Sequence, residues 1–134
     1  MKHKILNTVL VCLFALIGLH ASAYNIYVDG IYYNLNDKVN EATVTFMEIR
    51  ENEKAYVGSI VIPSVVTTNQ GKTYKVTGIG ANAFYGCRNM TSISIPNSIT
   101  SIGDNAFERC SGLTTITIPA SVTTIGDYVF QGCI

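Results

Sequence analysis

Ile99-Thr100-Ser101-Ile102-Gly103-Asp104-Asn105-Ala106-Phe107-Glu108-Arg109-Cys110 is the stretch that decides the fold, because the chain writes it three times. Upstream the same frame reads Val76-Thr77-Gly78-Ile79-Gly80-Ala81-Asn82-Ala83-Phe84-Tyr85-Gly86-Cys87. Downstream it reads Val122-Thr123-Thr124-Ile125-Gly126-Asp127-Tyr128-Val129-Phe130-Gln131-Gly132-Cys133. Each position recurs after 23 residues. The links recur too: Met90-Thr91-Ser92-Ile93-Ser94-Ile95-Pro96 against Leu113-Thr114-Thr115-Ile116-Thr117-Ile118-Pro119. A fixed period of this length marks a solenoid with one supersecondary unit per coil.

Within the second full coil the apolar positions are Ile99, Ile102, Ala106, Phe107, Cys110, Leu113, Ile116 and Ile118, with mostly polar residues between them. Ile116-Thr117-Ile118 alternates as a short strand with two inward side chains does. Pro119 stops that strand, having no amide to continue a ladder. Gly103 falls at a sharp corner, where a positive φ is expected. Asp104-Asn105 is expected to cap a short helical turn that carries Phe107 and Cys110 inward. The predicted fold class is therefore a repeat solenoid of short strands and short helical turns. One coil cannot bury its apolar face alone, so equivalent side chains should stack as ladders: Ile79, Ile102 and Ile125; Phe84, Phe107 and Phe130; Cys87, Cys110 and Cys133. Stacked cysteines about 4.8 Å apart lie within disulfide range. Three cannot all pair within one chain, however, and the position recurs like a core position. They read as small buried hydrophobes rather than a bridge.

Outward from the repeat, Tyr56-Val57-Gly58-Ser59-Ile60-Val61-Ile62-Pro63 anticipates the link sequence, so a coil begins there. It is interrupted by residues centred on Asn69-Gln70-Gly71-Lys72, which read as a hairpin between Val65–Thr68 and Thr73–Val76. Before it, Tyr27–Tyr33 is two β-prone runs around Asp29-Gly30, a strong hairpin signal, and Ala42–Phe46 is a further strand. Glu48–Lys54 reads as a charged, solvated turn. The first residues, Met1-Lys2-His3-Lys4, an apolar run to Leu19 and Ala21-Ser22-Ala23, form a secretory signal peptide with cleavage expected after Ala23. The expected organisation is a signal peptide (1–23), a β-rich N-terminal cap (24–56) and a solenoid (57–134). The solenoid divides into an interrupted coil 57–75, full coils 76–98 and 99–121, and an incomplete coil 122–134.

Cleavage would remove both histidines, His3 and His20, and two lysines. Nine basic residues then become seven against nine acidic ones, a net charge of −2. That balance, without a basic tract, excludes a nucleic-acid partner. With the signal removed, no membrane span is expected.

The frame Ile102-Gly103-x-x-Ala106-Phe107-x-x-Cys110-x-x-Leu113-x-x-Ile116-x-Ile118-Pro119 resembles the BspA-like leucine-rich repeats. The resemblance covers Val76–Cys133 closely and Tyr56–Pro63 partly, with Met90 and Val129 replacing a leucine and an alanine. It implies a secreted or cell-surface protein, and several family members act in adhesion to host matrix or to other cells. The third coil stops at Cys133-Ile134, before its leucine and strand. A segment of a longer array is the preferred reading. An end covered by a partner, including self-association through the uncapped coil, is the other.

The outward strand positions, Ser59, Ser92, Ser94, Thr115 and Thr117, form the candidate contact surface. Arg88, Arg109 and Tyr85, near the turn, form a second candidate patch. Hydroxyls are also ordinary outward residues of a solvated β face. The expected partner is an extracellular or surface protein, or a glycan. The alternative is a purely structural repeat segment with no ligand of its own. No cofactor, metal site or catalytic group is expected: the expected mature chain has no histidine, no glycine-rich phosphate loop and no paired carboxylates.

Overall fold

A computed structural model describes residues 26–46 and 56–134. The expected signal peptide and the charged turn at Glu48–Lys54 lie outside the described residues. The first strands, β1 (Ile26–Val28) and β2 (Ile31–Asn36), pair antiparallel with Val28 opposite Ile31. The two residues between them, Asp29 (φ 48°) and Gly30 (φ 88°), both take the left-handed conformation that a tight hairpin needs. β3 (Glu41–Thr45) returns antiparallel to β2, closing a three-stranded meander.

β3 also enters the repeat. It runs parallel to β6 (Thr73–Ile79), with Ala42 opposite Val76 and Val44 opposite Ile79. β8 (Ser101–Ile102) and β9 (Thr124–Ile125) extend that ladder in parallel, one strand per coil. The same backbone bond recurs at each step: Gly80 N to Val44 O (2.7 Å), Gly103 N to Ile79 O (2.8 Å) and Gly126 N to Ile102 O (2.8 Å). The N-terminal meander thus supplies the strand of a missing preceding coil, and cap and solenoid share one sheet, β1-β2-β3-β6-β8-β9.

The interruption is a hairpin in the structure. β5 (Val65–Thr67) pairs antiparallel with the first half of β6, turning at Gly71 (φ 82°). A second, two-stranded sheet pairs β4 (Gly58–Val61) with β7 (Met90–Ser94) in parallel. The expected strand at Ile116–Ile118 does not form; Leu113–Pro119 carries no assigned pairing. Its alternation survives, with Ile116 and Ile118 half-buried and Thr117 exposed.

The expected helical turns are absent among the described residues. Residues 80–87, 103–110 and 126–133 are successive tight turns, and their amides alternate in use. Ala106, Glu108 and Cys110 donate three residues back within the coil, to Gly103, Asn105 and Phe107. Asn105, Phe107 and Arg109 instead donate to Asp127, Val129 and Gln131 of the next coil, at 2.9, 3.0 and 2.7 Å. An α-helix spends its interior amides within itself. Here every second amide is spent between coils, so no helix propagates. The alternation needs left-handed residues, and they sit at Asn82, Asn105 and Tyr128 (φ 58°, 58° and 56°) and again at Gly86, Arg109 and Gly132 (φ 69°, 59° and 73°), not at the predicted glycine corner. Gly103 is required for space: a Cβ there would lie 2.5 Å from Ala81 N.

The core runs through both parts. Tyr33, Ala42 and Val44 of the meander and Ile79, Phe84, Met90, Ile99, Ile102 and Phe107 of the coils are almost fully buried. Phe84 and Phe107 stack with ring centroids 5.2 Å apart and an interplanar angle of 3°. Phe130 stacks on Phe107 at 5.8 Å and 7°. Tyr56 packs on the far side of Phe84 at 4.7 Å, adding a fourth ring. Two of the proposed ladder residues are not core. Ile125 and Phe130 are 49% and 39% exposed and Cys133 is only partly buried, since no coil lies on their outer side among the described residues.

Candidate functional site

The strand face carries the five candidate contact residues. Ser59 on β4 lies opposite Ser92 on β7, and Val61 lies opposite Ser94. All of Ser59, Ser92, Ser94, Thr115 and Thr117 are exposed. Parallel pairing brings Ser59 and Ser92 side by side, and the Ser92 hydroxyl donates to Ser59 Oγ at 2.8 Å. Thr115 and Thr117 lie on the segment that forms no strand, so the regular grid is built only from the first two rows. One apolar member was not foreseen: Val61 is 66% exposed beside Ser94. The signal for it was the Ser59-Ile60-Val61-Ile62 run, in which Ile60 and Ile62 take the inward positions and Val61 must point out.

Behind Val61 a groove of about 470 Å³ opens between the β1–β2 hairpin and β5. Its floor includes buried Ile31, Tyr33 and Val66, and its rim includes exposed Val61 and Val65. No reading of the repeat alone locates this groove, because it exists only where the meander meets the interrupted coil.

On the turn side, the Arg109 guanidinium lies 5.8 Å from the centroid of the exposed Tyr85 ring, a cation–π contact. Arg109 Nε also lies 3.5 Å from Glu108 Oε1, and the Asn105 side-chain amide donates to Glu108 Oε2. Glu108 is buried, and both its oxygens are engaged. Arg88 is exposed, but no contact joins it to Tyr85 and Arg109. A third polar cluster sits at the cap. Asp37 accepts from Lys72 Nζ and from the Tyr74 hydroxyl at 2.6 Å. These bonds, that from Lys72 foremost, hold the Asp37 carboxyl below its usual range. The Lys72–Asp37 pair is solvent-exposed charge of small energetic weight.

Cys87 and Cys110 are poorly placed to act as nucleophiles. Burial pushes the Cys87 thiol up to about 11. Burial, then repulsion from Cys87 and Cys133, pushes Cys110 up to about 12. Reactive thiols are those held well below their ordinary value. Each of the later two thiols has a structural bond instead: Cys110 Sγ to Phe84 O at 3.0 Å and Cys133 Sγ to Phe107 O at 2.9 Å. All three are free. Among the described residues no three His, Cys, Asp or Glu side chains group as metal ligands, and no helix is long and apolar enough to cross a membrane.

Parallel 23-residue coils, a ladder of stacked phenylalanines and an outward strand face define a leucine-rich repeat solenoid. The BspA type Leucine rich repeat region matches residues 53–134 in six copies, and the chain belongs to this family. It is similar to a leucine-rich repeat protein from Bacteroides ovatus at 39% identity and TM-score 0.71, over 82% of this chain and 27% of that one. The chain thus spans about a quarter of that relative's length. Two further structures share the fold. One is a leucine-rich repeat protein from Bacteroides capillosus, at 24% identity and TM-score 0.52, over 75% of this chain and 86% of that one. The other is the T. pallidum leucine-rich repeat protein, at 21% identity and TM-score 0.54, over 81% of this chain and 56% of that one. The comparison with curated proteins found no match. Neither the family nor these structures indicate an enzyme.

Proposed function

We propose that the chain is a secreted or cell-surface module that binds protein through its strand face, in an adhesive role toward host matrix or other cells. The observation that carries this reading is the exposed row Ser59–Ser92 with Val61–Ser94 beside it, bordered by a groove at Val65 whose lining mixes apolar side chains with Asp29, Thr67 and Thr68. Binding surfaces pair an apolar anchor pocket with hydrogen-bonding groups that fix orientation. The face has both. Export rests on the Lys2–Ala23 leader pattern.

The competing reading is a structural segment without a ligand. It is favoured by the Ser92–Ser59 hydroxyl pair, which satisfies one of the groups the face would offer. A solid-phase assay against matrix proteins and immobilised glycans separates the two. Saturable binding that is lost in Val61→Asp but kept in Arg109→Ala supports the strand face. Binding lost in Arg109→Ala alone moves the site to the turn side. No saturable binding by a folded sample leaves the structural segment.

A further inference from the structure

β5 has a free edge, and the backbone bonds show which groups stand on it. Across the β5–β6 hairpin, Val76 N donates to Ser64 O at 2.9 Å and Thr68 N to Lys72 O at 2.8 Å. Bonded and unbonded pairs alternate along an antiparallel ladder. In the observed register the bonded pair between those two is Val66–Tyr74, and Val65–Lys75 and Thr67–Thr73 are unbonded. Lys75 fixes the same phase, since its amide turns away from β5 to Asn40 O beside β3. The N–H and C=O of Val65 and Thr67 therefore point outward. Among the described residues β5 pairs with β6 alone, and nothing meets these groups.

The groove beside Val61 runs along this edge. Successive side chains of a strand point to opposite faces, so a groove over one face would touch alternate residues. This groove is lined by Val65, Val66, Thr67 and Thr68 in unbroken sequence. Its buried floor is Ile31, Tyr33 and Val66, and Asp29 is the charged residue of its lining. Native edge strands are commonly blunted by a charge, a proline or a bulge. Val65-Val66-Thr67 carries none of these and pairs in regular register.

An occupant has two requirements to meet: a backbone extended enough to bond Val65 and Thr67, and a side chain free to enter the groove beside Val66. A second copy pairing β5 with β5 about a two-fold axis meets only the first. Its own Val66 would stand opposite, but that side chain is 3% exposed and packed into its own core. An extended segment that is not already part of a fold meets both. We propose that β5 adds such a segment of a partner protein as a further strand, with an apolar side chain in the groove and a basic one toward Asp29. This deepens the protein-binding reading above, on which it rests, by assigning recognition to backbone groups of β5 as well as to the serine row.

The test titrates the chain with the acetylated, amidated peptide KTVTIT to about 1 mM and follows amide hydrogen exchange by NMR. At a Kd of about 100 μM, exchange at Val65 and Thr67 slows about tenfold. The fully N-methylated peptide keeps the side chains but has no N–H to donate, and it should leave exchange unchanged. Thr67→Pro removes one outward N–H and spares the β6 ladder, so it should abolish the slowing at Val65 while Thr68 stays protected by Lys72 O. No slowing in the unaltered chain, or equal slowing by the N-methylated peptide, overturns the inference. So does protection of both amides without peptide, whether in a monomer or in a sample that sediments as a dimer. Absence of slowing with saturable matrix binding intact removes this inference and leaves the strand-face reading standing. Slowing without matrix binding supports recognition at the edge and removes the matrix as its target.

Discussion

Phe107 is the residue on which the coils turn. It is fully buried, with Phe84 on one face and Phe130 on the other. Truncating it removes two ring contacts and leaves a cavity, so Phe107→Ala should cost about 3–5 kcal/mol in urea unfolding. Phe130→Ala, at a ring 39% exposed, should cost less than half as much. A similar contrast governs the left-handed position. Asn82 and Asn105 occupy it cheaply, because asparagine tolerates that region, whereas Tyr128 holds φ 56° with a bulky side chain 66% exposed. Tyr128→Asn should therefore raise stability by about 1 kcal/mol, measured by the same unfolding.

The thiols make a pH prediction at this scale. In the native state Cys87 and Cys110 ionise at about 11 and about 12, against an ordinary 9.0. Below pH 9 both states carry the proton and stability is independent of these groups. Above it the unfolded chain loses protons that the native chain keeps, so the unfolded state binds fewer and stability falls with rising pH. The decline should run between about pH 9 and about 12, and Cys110→Ala should flatten part of it. Unfolding midpoints across that range check this.

At the scale of the element, the ladders were legible because side chains that repeat every 23 residues must stack whatever the backbone does between them. The turn was not legible. Gly103-Asp104-Asn105 looks like a corner and a cap, yet the backbone there sends alternate amides to the neighbouring coil, a use of hydrogen bonds that no residue type announces. The glycine was noticed for the wrong reason: its role is close approach to Ala81, not a positive φ. Gly103→Ala should consequently destabilise by about 1–3 kcal/mol through overpacking, although alanine is compatible with the local φ. Asn82→Gly, at the equivalent position where φ is positive, should be milder. A thermal melt of the pair distinguishes the two roles. Of the candidate contact face, the serines and threonines could be read from alternation, but the groove beneath Val61 depends on a long-range junction that alternation cannot encode.

Across the whole molecule, that junction determines how stability is distributed. Tyr56 ties it together: its hydroxyl accepts from Tyr32 N at 3.0 Å and donates to Thr45 O at 2.8 Å while its ring packs on Phe84. Burial raises the Tyr56 phenol above its ordinary range, so these bonds persist throughout physiological pH. β3 and β6 have neighbours on both sides, whereas among the described residues the edge strands β1 and β9 have a neighbour on one side only. In a stack whose units are stabilised mainly by their neighbours, protection must decline toward the end that has one neighbour. Amide exchange should therefore be slower at Val76–Ile79 than at Thr124–Ile125 or at Ile26–Val28. Tyr56→Phe removes the hydroxyl that bonds both Tyr32 N and Thr45 O and should cost about 1–3 kcal/mol. Because the residue sits where both sheets meet the aromatic stack, the loss should accelerate exchange in β3 and β6 together. If only β3 responded, the meander would be a separately folding unit and the shared sheet would not couple it to the coils.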